Sequence, residues 1–361
     1  MSARKILFIV FITIFIDMLG IGVLIPVFPL LILPHSIFNV IPPTWTSGQA
    51  LVMAGWLMAV FPLMQFICTP LLGHLSDRFG RRKILILSIA GTAISYVVFA
   101  IAILNKNIFL MFISRALDGV TGGNIAVAQA VIGDISVKTP KNMAKNFAIV
   151  GMAFGSGFIL GPFIGGKLSD PAVINWFNAA TPFFFTAVIS LINALLVLCF
   201  LPETFSSRNE HKPLMVLRPI YNIFQMFLDK QLKSVIPVIF LFNSGFTFFT
   251  TFFGVVLATK YGFDQSKIGN FFAYLGIMVV LAQGVVVRRM SGKVADYVVL
   301  RYSLIGTGIC LLMYYFIPFQ HTGWIYFIPP FMAIFIALTP VRSVMLNVPA
   351  PDSFNVFPTS F

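Results

Sequence analysis

The sequence predicts an all-α protein that crosses a membrane many times. Hydrophobic residues make up 58% of the 361-residue chain, charged residues only 10%, and the mean hydropathy is +0.95. Soluble domains carry about 25% charged residues, so this composition excludes a set of soluble domains. The apolar residues also form long runs: from Met18 to Ser76 the chain contains no Asp, Glu, Lys or Arg. Because about 20 apolar residues cross a bilayer as a helix, we expect most of the chain to lie within lipid.

Prolines and short polar stretches divide the apolar runs into ten predicted spans. The N-terminal run is longer than the apolar core of a signal peptide and is predicted to remain as the first span. The predicted spans are residues 5–33, 48–72, 84–104, 108–133, 147–168, 179–201, 234–258, 268–287, 299–318 and 324–341.

The net charge of +13 comes from lysines and arginines that lie in the short breaks between these spans. Most of the 24 basic residues fall on one side of the membrane if the spans alternate in direction. Cytoplasmic loops are enriched in Lys and Arg, so the pattern predicts a cytoplasmic N-terminus. It also explains the high pI of 9.9 without a nucleic-acid partner.

The longest polar stretch separates the sixth span from the seventh. Long central loops join the helical bundles of transporters that are built from repeats. The sequence therefore predicts a six-helix N-terminal bundle (1–201), a cytoplasmic central loop (202–233), a partial C-terminal bundle of about four helices (234–341) and an irregular, proline-interrupted tail (342–361).

Sites for cofactors and for enzyme chemistry are not indicated. Cys68, Cys199 and Cys310 all lie inside apolar runs, and the sequence has no CxxC pair or Cys/His cluster. The sequence also shows no nucleophile–base pair and no phosphate-binding loop. We therefore expect neither a metal nor an organic cofactor, and no enzyme activity.

The most specific motif lies between the second and third spans, from Gly73 to Lys83. Four basic residues there would set topology, but topology does not explain the glycines and the aspartate at their spacings. The segment resembles the G-x-L-x-D-[RK]-x-G-[RK]-[RK] signature of the major facilitator superfamily at every defined position. The resemblance implies a cytoplasmic gate in which Arg81 pairs with Asp134, at the inner end of the fourth span. The gate residues implied are Gly73, Asp77, Arg78, Gly80, Arg81, Arg82 and Asp134.

A second motif lies in the fifth span, where glycines recur at four-residue spacing around a proline. Such glycines permit close helix packing, and an internal proline loosens the helix. The string resembles G-x-x-x-G-P-x-x-G-G, which marks exporters working by antiport in this superfamily, and Gly151 and Gly155 extend its glycine face. Its members are Gly157, Gly161, Pro162, Gly165 and Gly166.

Charged residues lie inside two of the spans. Asp17 follows Lys5 by 12 residues, about 18 Å along a helix, which places it near mid-membrane, where an ionisable residue is functional by default. A structural hydrogen bond to a neighbouring helix is the alternative. Arg115 and Asp118 are three residues apart, share a helix face and can neutralise each other, or they simply anchor the bundle.

These segments also resemble the superfamily. The string from Asp17 to Pro29 is similar to the first helix of drug/proton antiporters, above all the tetracycline/proton antiporter subgroup. The R-x-x-x-G motif is matched by Arg115 and Gly119, and its arginine is linked to proton transfer. The polar residues Asn124 and Gln129 lie farther along the fourth span, where they line a cavity or bond to other helices. The predicted proton and substrate pathway comprises Asp17, Arg115, Asp118, Asn124 and Gln129.

The resemblance implies a monomeric efflux carrier in the bacterial inner (plasma) membrane. It would exchange a tetracycline-like or other drug for protons, with the proton gradient as its energy source and the lipid bilayer as its surroundings. A proton symporter for a small nutrient is an alternative. The motifs concentrate in residues 8–205, and ten spans fall short of the usual twelve. We therefore also expect C-terminal truncation, so a non-transporting remnant of such a carrier is a further alternative.

Overall fold

The computed structural model describes residues 3–34, 36–137, 143–204, 235–287, 289 and 296–338. Every regular element of secondary structure within these residues is helical. The helices are α1 (Ala3–Ile32), α2 (Ser47–Phe79), α3 (Arg81–Leu104), α4 (Ile108–Thr121), α5 (Asn124–Val137), α6 (Met143–Leu168), α7 (Thr181–Phe200), α8 (Val235–Tyr261), α9 (Gln265–Ala282), α10 (Asp296–Phe316) and α11 (Ile328–Leu338).

Two short helical segments of other types connect to these α-helices. A π-helical turn, Gln283–Val287, continues α9, and a 3₁₀ segment, Phe319–Phe327, leads into α11. Within the described residues, eight helices are long and apolar enough to span a bilayer, namely α1, α2, α3, α6, α7, α8, α9 with its π turn, and α10. The chain is thus an all-α, multi-pass membrane protein.

Each predicted span corresponds to helical structure, but the fourth one, 108–133, is not continuous. It consists of α4 and α5, which meet at Gly122 and Gly123. The Gly122 amide bonds to the Gly119 carbonyl in a tight turn, and the Asn124 side chain accepts from the amide of Ile125. Consecutive glycines weaken a helix, and polar side chains compete for its backbone bonds, so the prediction of one uninterrupted helix is wrong.

Local sequence explains where several helices begin. Thr46 caps α2 through a capping box: its hydroxyl accepts from the Gln49 amide, and the Gln49 side chain accepts from the Thr46 amide at 2.9 Å. Gly80 separates α2 from α3 with φ of +99°, a conformation that glycine adopts far more readily than other residues. The most specific sequence motif therefore contains the turn itself.

The chain forms two compact units. The first comprises Met1–Leu214 with Gly254–Ala273, and the second comprises Met215–Phe253 with Tyr274–Phe361. In the first unit α1 packs along α6, α3 along α7, and α2 along α4. The predicted boundaries at 201 and 234 stay predictions. The predicted central loop lies almost wholly outside the described residues, and the predicted tail lies outside them entirely.

The apolar core of the first unit joins α1, α2, α3, α5, α6 and α7 close to one end of the bundle. We call this end the basic end: α1 and α3 begin there, α2 and α7 end there, and Arg78, Arg81 and Arg82 lie there. In the second unit, Phe253 of α8 packs on Tyr314 of α10, with ring centroids 4.7 Å apart. These packed faces fix the positions of the polar residues described next.

Candidate functional site

An ion-pair cluster lies at the basic end, centred on Arg81. Arg81 is the first residue of α3, and its side chain is buried. Its Nη1 lies 2.6 Å from Asp77 Oδ1 and donates to Ser76 Oγ, while its Nε lies 3.3 Å from Asp134 Oδ2. The structure thus brings together Asp77 on α2, Arg81 on α3 and Asp134 on α5. The pairing of Arg81 with Asp134 is the one that the motif resemblance implies; the gating role stays a prediction.

Glu203 completes this cluster and was not predicted from the sequence. Its carboxylate accepts from the backbone amides of Arg81 at 2.8 Å and Arg82 at 3.3 Å, and thereby caps the start of α3, where the helix dipole favours an anion. The next residue, Thr204, donates to Asp134 at 3.1 Å. The sequence signal was an acidic residue two positions after the sixth span, and nothing in the sequence specified its partner.

The side chains of the remaining motif residues lie around the cluster. Arg82 donates to the Leu198 carbonyl on α7. The Arg78 guanidinium lies 5.5 Å from the centroid of the Phe79 ring, and a Cβ at Gly73 would meet no atom within 4 Å. A Cβ at Gly80, in contrast, would overlap the Glu203 carboxylate. The structure therefore explains why glycine is needed at 80 but not why it is present at 73.

We expect Glu203→Ala to lower the free energy of unfolding by about 0.5–2 kcal/mol, the usual loss when a helix cap is removed. The Arg81 and Arg82 amides would lose their acceptors and the helix dipole its counter-charge. Glu203→Gln keeps one acceptor oxygen and should lose less. Thermal unfolding of the purified protein in detergent measures both. An alanine variant that unfolds at the wild-type temperature would contradict the capping role.

A second polar cluster lies in the interior of the first unit, where Asp17 on α1 meets Asn124 on α5. Both side chains are buried, and Asn124 Nδ2 donates to Asp17 Oδ1 at 2.7 Å. Asn124 is the first residue of α5, so the break between α4 and α5 places it there. Asp17 Oδ2 is also buried and has no hydrogen-bond partner in the described part of the chain. Asn124 thus holds one oxygen of the Asp17 carboxylate, and the other oxygen can accept a further hydrogen bond or a proton.

The ion pair of Arg115 and Asp118 on α4 belongs to the same interior region. Arg115 Nη2 lies 3.0 Å from Asp118 Oδ2, and the two residues are 4% and 2% exposed. Aromatic rings surround the guanidinium, with its central carbon 4.7 Å from the centroid of Phe99 on α3 and 5.6 Å from that of Phe61 on α2. Such contacts stabilise a desolvated cation. Arg115 is therefore buried, with one carboxylate and several aromatic faces around its guanidinium.

The structure joins most of the predicted pathway residues and leaves one apart. Asp17 and Asp118 are both buried in this interior region, and Asn124 bonds directly to Asp17. Gln129 is half-buried, five residues farther along α5, and its side chain makes no hydrogen bond within the described part of the chain. Gln65 of α2, another polar residue inside a span, donates to the Gly122 carbonyl at 2.6 Å. That bond satisfies a carbonyl at the break between α4 and α5.

The glycines of the second motif lie along α6 where it crosses α1. A Cβ at Gly157 would stand 2.5 Å from Met18 Cβ, one at Gly161 2.7 Å from the Leu19 carbonyl oxygen, and one at Gly165 2.6 Å from the Val23 carbonyl oxygen. All three positions therefore need glycine. We call this contact of α6 with α1 the glycine seam. It fixes the segment of α1 that carries Asp17.

The seam continues to residues that the motif does not contain. On α1, a Cβ at Gly22 would stand 2.8 Å from Pro162 Cδ. On α9, a Cβ at Gly269 would stand 2.5 Å from the Pro162 carbonyl oxygen, and a Cβ at Gly166 would overlap the backbone of Gln265. Gly269 was not predicted, because a single glycine in an apolar helix does not indicate which helix will approach it.

Comparisons with known proteins agree with this arrangement. The family model of the Major Facilitator Superfamily matches residues 10–354. The chain is 30% identical over 325 residues to the class H tetracycline resistance protein of Pasteurella multocida, covering 86% of this chain and 73% of that protein. It is 27% identical over 312 residues to the class B tetracycline resistance protein of Escherichia coli, covering 86% and 72%.

The fold has close counterparts among solved structures. The crystal structure of a D-xylose–proton symporter superposes with a TM-score of 0.74 at 16% identity, covering 96% of this chain and 83% of that one. At that identity the likeness concerns the fold. The family model covers most of the sequence, including the basic-end cluster and the glycine seam. The chain therefore belongs to the major facilitator superfamily, within its drug-efflux subgroup.

Proposed function

We propose that this chain is a proton-coupled antiporter of a bacterial plasma membrane that exports a small-molecule drug from the cytoplasm. One observation carries the proposal: two carboxylates, Asp17 and Asp118, are buried together in the interior of the helical bundle. Ionisable groups at membrane depth are costly and mark ion or proton pathways. The names of the tetracycline resistance relatives support a drug of that class as the substrate.

Proton exchange at these carboxylates supplies the coupling. Protonation removes the charge of Asp17, weakens its bond with Asn124 and changes its repulsion with Asp118. The equilibrium between inward-facing and outward-facing states then depends on whether the proton is bound. One proton that moves down 100 mV provides about 2.3 kcal/mol, which supports a concentration ratio of a few tens for a neutral substrate.

The other two features have supporting roles in this proposal. The basic residues predict that the basic end faces the cytoplasm, so the cluster of Asp77, Arg81, Asp134 and Glu203 forms the cytoplasmic gate. Its ion pairs lock one state and separate in the other. The glycine seam holds α1 against α6 closely enough to exclude water, which limits proton leak beside Asp17.

The decisive measurement is proton-driven transport by Asp17→Asn and Asp118→Asn in proteoliposomes with tetracycline as the probe. Neither variant can exchange a proton at the replaced group, so we expect at least a tenfold loss of pH-gradient-driven transport. Tetracycline counterflow, which needs no net proton movement, should persist. Asp264→Asn is the matched control, because Asp264 lies at the start of α9 in an exposed pair with Lys267. Normal gradient-driven transport in both variants would refute the proposal.

The same vesicles distinguish the alternatives. An antiporter accumulates tetracycline against an opposing proton movement, whereas a symporter moves both in one direction. A symporter deserves the comparison because a D-xylose–proton symporter shares the fold. A protein that inserts stably but transports nothing in either orientation would support the non-transporting alternative.

A further inference from the structure

Tyr96 is a buried residue of the region that holds Asp17 and Asp118, and it belongs to no motif. It is on α3, with only 3% of its surface exposed. Its phenolic oxygen touches Gly20 on α1 so closely that a Cβ at Gly20 would overlap it. Gly20 is three residues after Asp17, and residues at that spacing share a helix face. The hydroxyl of Tyr96 therefore lies on the same side of α1 as the Asp17 carboxylate.

The same side chain also faces α4. The Arg115 guanidinium carbon is 6.0 Å from the centroid of the Tyr96 ring. Arg115 in turn pairs with Asp118 at 3.0 Å, and Asp17 lies three residues before Gly20 on the face of α1 that Tyr96 contacts. Among the described residues, the charged groups that face Tyr96 are thus one carboxylate from α1 and the ion pair from α4.

Packing alone does not require the hydroxyl. Phe183 on α7 lies with its ring centroid 4.7 Å from that of Phe99 and 6.4 Å from that of Tyr96. These phenylalanines fill the space between α3 and α7 without polar atoms. A tyrosine in this setting adds one group that both donates and accepts a hydrogen bond, and its oxygen is directed toward α1.

We propose that the Tyr96 hydroxyl relays the proton between Asp17 and Asp118 during transport. This proposal rests on the proposed function. In the step, protonated Asp17 gives its proton to the Tyr96 oxygen while Tyr96 gives its own hydroxyl proton to the Asp118 carboxylate. Asp17 ends as a carboxylate, Asp118 ends as a carboxylic acid, and Tyr96 is unchanged. The proton leaves from Asp17 Oδ2, which has no partner among the described residues, because Asn124 holds Oδ1.

The test is Tyr96→Phe, which removes one oxygen and keeps the ring. We expect pH-gradient-driven tetracycline transport in proteoliposomes to fall at least tenfold. Tetracycline counterflow should stay within twofold of wild type, and the unfolding temperature should not change. The matched control is Tyr314→Phe, since Tyr314 is also buried, at 4% exposure, but lies on α10 in the second unit. It should retain gradient-driven transport.

Three results would overturn the relay. Wild-type gradient-driven transport in Tyr96→Phe would show that the hydroxyl is not needed. An equal loss of counterflow and gradient-driven transport would assign Tyr96 a structural or substrate-binding role. If the wild-type protein shows no gradient-driven transport, or if Asp17→Asn and Asp118→Asn both transport normally, the proposed function fails and the relay fails with it. Measuring the two aspartate variants beside Tyr96→Phe therefore separates failure of the function from failure of the relay.

Discussion

Replacing Arg115 with methionine is expected to lower the free energy of unfolding by about 3–5 kcal/mol, the usual loss when one partner of a buried ion pair is removed. Asp118 would keep its burial and lose the cation 3.0 Å away. Methionine matches the length of the arginine stem, so packing against Phe61 and Phe99 is largely preserved. The loss of stability should therefore come from the unpaired charge of Asp118 and not from a cavity.

Two further variants test whether the loss of stability comes from the unpaired buried charge. Arg115→Met combined with Asp118→Leu removes both charges and should recover much of the stability, because apolar pairs often replace buried ion pairs at little cost. Lys267→Met breaks the exposed pair with Asp264, whose atoms are 3.1 Å apart, and should cost at most about 1 kcal/mol. Thermal unfolding in detergent measures all three. If Arg115→Met and Lys267→Met lose the same stability, burial of the α4 pair has no energetic consequence.

Gly161→Ala is expected to destabilise the protein by about 1–3 kcal/mol, the range for inserting atoms into a packed interior. The new methyl group would stand 2.7 Å from the Leu19 carbonyl oxygen and 2.8 Å from Gly22 Cα. These are backbone atoms of α1 and cannot rotate away, so α1 must move from α6. Because Asp17 lies on this part of α1, gradient-driven transport should fall as well.

Gly155→Ala provides the matched control on the same helix. A Cβ at Gly155 meets no atom within 4 Å, and alanine favours a helix over glycine by about 1 kcal/mol. We therefore expect Gly155→Ala to be neutral or slightly stabilising. Thermal unfolding and tetracycline transport, measured side by side, compare the two. Equal effects of the two substitutions would mean that the glycine seam is not a tight contact.

The amino-acid sequence by itself determined the membrane-spanning architecture and the family. Each of the ten predicted spans corresponds to helical structure, because the length of an apolar run and the prolines that interrupt it are local properties. The most specific motif lies at the junction of α2 and α3, where the positive φ of residue 80 favours glycine. The position of Asp17 inside a span also followed from its distance to Lys5, and the pairing of Arg115 with Asp118 followed from their three-residue spacing.

Only the tertiary structure decided which residues meet. It placed Asn124 on Asp17 through the break in the fourth span, Glu203 on the start of α3, Tyr96 against Gly20, and Gly269 against Pro162. Each of these contacts depends on which faces of two helices pack and in what register. In a soluble protein an apolar stripe would mark the packed face of a helix. In a bilayer the lipid-facing and protein-facing sides are both apolar, so the sequence did not distinguish them and the packed structure did.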